Sequence, residues 1–319
     1  MRRETIARYL YSFFLLWAVF LNSFSAGAET VSRPEKNGLN IDAVSVAELQ
    51  KLYTESGYDE YIPLETHKVP AIFLKNFPED YDRIKDDNLR NGLFIRILSP
   101  LALKVNEAIL AERAQLEKII TDFDKNAELS PAQTQWVEQA AKKYDVFTRL
   151  KGYRRYKLIL GELRYRIDAL PPSVLIAVSA IETNWGQSRI VKEGRSLYKE
   201  LVWYSDEGLK PEGETEDPNY RIKIFPSLYD SMYSFALKIN SNVNFEDFRS
   251  FRKEQRYRRQ LLDGRSTAYT FFLLSPLPNY IGLLDYTITF YELVTIDASE
   301  LNYNFQKQPR KNNDSPEES

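Results

Sequence analysis

One acidic side chain, Glu182, stands in an otherwise apolar segment, Leu170–Gly186 (LPPSVLIAVSAIETNWG), whose pattern predicts a helix. Pro171 and Pro172 preset its first turn, and Gly186 fits a left-handed position just past its end. Leu175, Val178 and Glu182 fall at i, i+3 and i+7, so the carboxyl projects from an apolar stripe. A carboxyl on such a face loses hydration, which disfavours its anion. It also lies in the last helical turn, where the helix dipole presents negative potential and disfavours the anion again. Both effects keep the proton on, as a general acid at neutral pH requires. A structural Glu paired with an internal Arg would suit the same place, and position alone leaves both alternatives open.

Composition narrows the chemistry. The 319 residues include no Cys and a single His, His67. A zinc site of the usual His/Cys kind cannot be assembled from these, and neither can a Cys–His nucleophile. Carboxylates, Tyr, Lys and Ser remain, and neither a metal nor a cofactor is expected. A formal net charge of -2 gives no reason to expect a nucleic-acid partner. The basic run Arg249–Arg259 contains Glu254 and is expected to be a solvated helix face. A second acidic cluster occurs in the polar, turn-rich stretch from Ser205 to Arg221, with Glu212, Glu214, Glu216 and Asp217.

The elements that must position these groups are mostly helical. A short helix is predicted from Asp42, as N-cap, through Tyr53. Gly57–Pro78, with Pro63, Pro70 and Pro78, reads as an extended, wrapping segment. A long helical pattern runs from Leu89 to about Phe123, kinked or broken near Pro100. Ser130-Pro131-Ala132-Gln133 is a helix start with a capping-box Gln, and a further helix covers Arg154–Ile167. After the Glu182 helix come one small hairpin in the polar stretch, a capped helix from Ser227, a basic helix over Phe245–Leu262 and a closing helix from Ile281.

The segment Ala180-Ile181-Glu182-Thr183-Asn184-Trp185-Gly186 resembles the E-[ST]-x-W-G part of the catalytic-helix motif A-x-x-E-[ST]-x-W-G of the glucosaminidase family of peptidoglycan hydrolases, with Ser179 at the position of the motif's Ala. These carry a mannosyl-glycoprotein endo-beta-N-acetylglucosaminidase-like domain. Upstream, Val69-Pro70-Ala71 through Phe77-Pro78 and the block Phe94–Arg113 resemble the N-terminal part of the family's Bax-protein branch. The resemblance implies a mainly α (α+β) fold: a lysozyme-like helical core with a small β-hairpin lobe, preceded by a helical N-terminal extension. It implies peptidoglycan glycan strands as the partner, cleaved at the glycosidic bond after N-acetylglucosamine with Glu182 as acid. It places a second carboxylate in the hairpin, where Glu214 is preferred and Glu216 is the alternate. The substrate's own acetamido group could replace that carboxylate. Tyr280, in Pro278-Asn279-Tyr280-Ile281, matches the family's Tyr before its last helix. Trp185, Tyr198, Trp203 and Tyr204 are candidate sugar-contacting aromatics, since an aromatic face presents apolar area to sugar C–H surfaces. Two of these have bland alternatives: Trp185 could instead lock the helix end, and Tyr280 could simply pack. The family's N-L-F-G element stands here as Ser196-Leu197-Tyr198-Lys199, and loss of the Asn and Gly puts the local turn in question.

The expected organisation is a signal peptide over 1–28, a helical N-terminal extension over 29–150, the glucosaminidase domain over 151–298 and a disordered tail over 306–319. Arg2, Arg3 and Arg8 precede the apolar Leu10–Leu21, and Ala26-Gly27-Ala28 fits signal cleavage. This predicts a periplasmic protein with no stable membrane insertion after cleavage. A catalytically weakened wall-binding scaffold of the same fold and a lytic transglycosylase are the alternatives.

Overall fold

The computed structural model describes residues 38–59, 67–213, 219–275 and 277–305. The segments expected to be a signal peptide (1–28) and a tail (306–319) lie outside the described residues, as do Glu214, Glu216 and Asp217. What is described is mostly helix with three small two-stranded sheets, in keeping with the expected mainly α (α+β) class.

Near the described N-terminus, β1 (Leu39–Ile41) pairs in parallel with β3 (Ile72–Leu74), and β2 (Lys68–Pro70) pairs in parallel with β6 (Glu300–Asn302). The second pairing ties the stretch expected to wrap the core to the far end of the chain. Helix α1 (Val46–Glu55) starts later than expected, because Ser45 rather than Asp42 is its cap. Ser45 Oγ accepts from the Glu48 amide, and the Ser45 amide donates to the Glu48 carboxylate, a reciprocal capping box.

Helix α2 (Asp87–Asn126) runs continuously through Pro100, so of the expected kink or break the break is absent. Residues on every side of this stretch, from Leu93 to Ala102, are buried, and Ser99 Oγ donates to the Ile95 carbonyl. Surrounding core contacts thus hold in place a helix that Pro by itself would interrupt. Then follow α3 (Pro131–Lys143), with the predicted Ser130–Gln133 capping box, and α4 (Gly152–Arg166). Both α5 (Pro172–Thr183) and α7 (Leu228–Ser241) pack on α2, so the expected boundary near residue 150 falls between helices that share one core.

Between them lie α6 (Arg189–Gly194) and the antiparallel hairpin of β4 (Leu201–Trp203) and β5 (Tyr220–Ile222), whose first strand precedes the polar stretch Ser205–Arg221 in which the hairpin was expected and whose second closes it. The C-terminal part comprises α8 (Glu246–Tyr257), α9 (Gly264–Thr267), α10 (Tyr280–Phe290) and α11 (Val294–Asp297). The basic run Arg249–Arg259, in and just after α8, departs from expectation only in part: Lys253, Arg256, Arg258 and Arg259 are exposed, whereas Arg249 and Arg252 are buried. Arg249 donates to the Ile239 and Asn242 carbonyls at the end of α7 and pairs with Glu246. Guanidinium groups satisfy several backbone acceptors at once, so these charges fasten the helix inward instead of solvating it.

Candidate active site

Helix α5 is buried from Pro172 through Ala180 on all its faces, not along one stripe, because α2, α9, α10 and α11 surround it. Glu182, in its final turn, is half-buried. Its proton affinity is raised above the ordinary carboxyl value, with desolvation the dominant cause. A hydrogen bond from Tyr280 and the positive charges of Lys199 and Lys238 act the other way and do not cancel it. The predicted rise in Glu182 proton affinity is therefore present, and burial is its largest cause.

Tyr280 is the first residue of α10 and is buried. Its hydroxyl donates to Glu182 Oε1 at 3.3 Å. Burial and the neighbouring carboxylate push the phenol far above its usual range, so it keeps its proton and acts only as a donor. Asn279 just before it is left-handed, at φ 58°, which turns the chain so that the helix begins over Glu182.

The end of α5 is built with unusual backbone. Asn184, Trp185 and Gly186 are successively left-handed, at φ 48°, 57° and 78°. The Gly186 amide donates to Thr183 Oγ1 at 3.0 Å, and the Ser188 amide to the Thr183 carbonyl. A Cβ on Gly186 would lie 3.1 Å from the Tyr81 ring and 3.2 Å from that of Phe77. The Tyr81 hydroxyl in turn lies 3.1 Å from the Trp185 carbonyl. Trp185 itself packs against Phe94 and Tyr291, with ring centroids 5.5 and 4.5 Å away. These contacts anchor the half-buried ring at the helix end.

Tyr198 is not a cleft residue. It is buried, stacked on Phe235 with centroids 4.0 Å apart, and its hydroxyl donates to the Leu175 carbonyl at 3.0 Å. An aromatic ring committed to the core on that scale has no free face for a sugar. Trp203 and Tyr204, by contrast, are 57% and 86% exposed at the end of β4, with Trp203 resting on Tyr220. They offer the accessible aromatic surface among the four candidates. Glu212 is exposed and paired with Arg189.

Lys199 sits at φ 48°, the left-handed conformation that the family's Gly would favour. Ser231 Oγ accepts from the Leu197 amide at 2.9 Å, holding the strand that leads into the hairpin.

Sequence reasoning missed three charged groups here. Lys199 and Lys238 both lower the proton affinity of Glu182. Glu200, at the base of the hairpin, is half-buried and shares the field of Lys238. Burial raises its proton affinity; Ser234 Oγ donates to its Oε2 at 3.1 Å, whereas its Oε1 is buried with no hydrogen-bond partner among the described residues. The position of Lys199 at the family's Gly was the one visible signal. Glu200 and Lys238 meet only through the packing of α7 on the hairpin's base. Cavities of about 450 and 490 Å³ open away from this site, the first beside Pro172 at the opposite end of α5, the second beside α8.

Among the described residues, no group of three or more His, Asp or Glu is disposed to hold a metal ion, and no helix is long and apolar enough to cross a membrane. No protein-family profile and no solved structure matches the chain. The chain is similar to "Protein bax" of Escherichia coli (strain K12), with 26% identity over 171 residues. That similarity takes in 52% of this chain and 57% of the relative, so the chain spans little more than half of the relative's length.

Proposed function

We propose that this protein is an exported peptidoglycan hydrolase that cleaves the glycosidic bond after N-acetylglucosamine, with Glu182 as general acid. The observation that carries the reading is the half-buried Glu182, its proton affinity raised by burial and its carboxyl held by the Tyr280 phenol. The segment Glu182-Thr183-Asn184-Trp185-Gly186 and the similarity to Protein bax support it. The lysozyme-like character of the core and a periplasmic location belong to the same proposal.

In this reading the Glu182 carboxyl gives its proton to the departing glycosidic oxygen as the C1–O bond breaks. Tyr280 and Lys199 then stabilise the carboxylate that is left. The oxocarbenium-like centre is met by a carboxylate of the hairpin lobe or by the substrate's acetamido oxygen, and water completes hydrolysis. Glu200 at the lobe's base joins Glu214 and Glu216 as candidates for that carboxylate. Trp203 and Tyr204 offer stacking surface to the glycan.

Zymography on purified peptidoglycan tests the assignment. The wild type is expected to clear the gel and Glu182→Gln is not. Equal clearing by the variant, or none by the wild type, rejects Glu182 catalysis. Mass spectrometry of the products then distinguishes reducing ends from the anhydro-sugar ends of a lytic transglycosylase.

A further inference from the structure

Arg252 of α8 is buried, and its guanidinium donates to the carbonyls of Tyr165, Arg166, Asp168 and Ala169 and to Asn240 Oδ1. It thereby satisfies carbonyls that the end of α4 leaves open. Its counter-charge is shared. The buried Asp168 carboxylate takes a bidentate pair from Arg256, lies 3.4 Å from Arg113 and 4.0 Å from Arg252. Three guanidinium groups converge on one carboxylate, and an unbalanced buried charge is costly. Desolvation and the neighbouring cations together pull Arg252 down to about 10.

A cavity of about 490 Å³ opens over this cluster, between α2, α4 and α8. Its lining includes five cations, Arg113, Arg164, Arg252, Lys253 and Arg256, with Asp168 as the one carboxylate. Glu117, beyond the rim, pairs with Arg164 and Arg113. Lys253 lies over the Tyr165 ring, 5.7 Å from its centroid, and pairs with no carboxylate among the described residues. Gly161 keeps the α4 wall low: a Cβ there would meet nothing within 4 Å.

We propose that this cavity is an oxyanion-binding site that takes a phosphate group, whose charge balances what Asp168 leaves over. The lining cations come from three helices, α2, α4 and α8, and a phosphate group has several acceptor oxygens to share among them. The site is remote from the Glu182 chemistry in its residues, and it stands or falls independently of that assignment.

The purified full chain is titrated with inorganic phosphate by calorimetry and thermal melting, against sodium chloride at matched ionic strength. Saturable binding and a melting temperature above the chloride control are expected. The double variant Arg164→Gln/Lys253→Gln leaves the Asp168 cluster in place and should weaken binding by about tenfold or more. Its circular dichroism and melting in phosphate-free buffer confirm that it is folded. Cosedimentation with phosphatidylglycerol against phosphatidylcholine vesicles distinguishes the source of the phosphate. Vesicle binding lost in the double variant assigns the site to a lipid headgroup, and phosphate binding alone assigns it to a soluble phosphate. Absence of both, or binding that the double variant leaves unchanged, overturns the proposal.

Discussion

The Tyr280 phenol donates to Glu182 Oε1 at 3.3 Å, joining the last turn of α5 to the first residue of α10 across 98 positions of sequence. The contact fixes the carboxyl's orientation and stabilises its anion, while burial works in the opposite direction and prevails. Raised proton affinity suits a proton donor, and the anion left by proton transfer is met by a donor already in place.

Tyr280→Phe removes the bond that lowers the proton affinity of Glu182, so the carboxyl remains protonated to higher pH. The basic limb of a hydrolysis profile should move upward. The maximal rate should fall by about tenfold to a hundredfold, the value of one hydrogen bond to a charged group. Carbon NMR titration of Glu182 checks the direction independently of turnover. An unmoved titration would show that the phenol does not reach the carboxylate in solution.

Lys199 combines a left-handed backbone with a cation facing Glu182. Lys199→Ala and Lys199→Gly both remove the charge, and both should move the Glu182 titration upward. Only the Gly variant relieves the backbone, so it should exceed Lys199→Ala in stability by about 1 kcal/mol in urea unfolding. Equal stability would mean that the turn relaxes without Gly.

Gly186→Ala places a methyl group against Tyr81 and Phe77 at a φ of 78°. It should cost about 1–3 kcal/mol of stability. The same change displaces the turn that ends the Glu182 helix, so activity should fall even where the variant is fully folded. Urea unfolding measured alongside activity separates the two losses.

Asp297 caps the opposite end of α5, accepting from the Ser173 amide and hydroxyl and from the Gly264 amide. Burial raises it from 3.8 to about 7, more than those bonds lower it. The fold therefore favours the protonated form: this contribution is complete below about pH 4 and is lost as pH rises through about 7. Relative to Asp297→Asn, the wild type should lose on the order of 4 kcal/mol across that window. Parallel stability curves for the two proteins would show that Asp297 is ionised throughout.

Much of the site was legible because it is local. The Glu182 helix, its prolines, the left-handed residues at its end, the Ser130 and Ser227 caps and the hairpin follow from neighbours in sequence, where steric preference and capping act over a few residues. The absent break at Pro100 and the burial of Arg249 and Arg252 in α8 share a single reason: local propensity does not register what surrounds a segment after packing. Pro100 is held inside α2 by buried neighbours, and Arg252 finds its acceptors at the end of α4, 86 positions away from Arg166. Tyr198 could have lined a cleft or the core by its type alone, and its stack on Phe235 decided for the core. The residue types and the helix turn of Glu182 were set by sequence alone. Its desolvation, its bond to Tyr280 and its cations Lys199 and Lys238 arise where distant segments meet, because a carboxyl's proton affinity depends on the space around it.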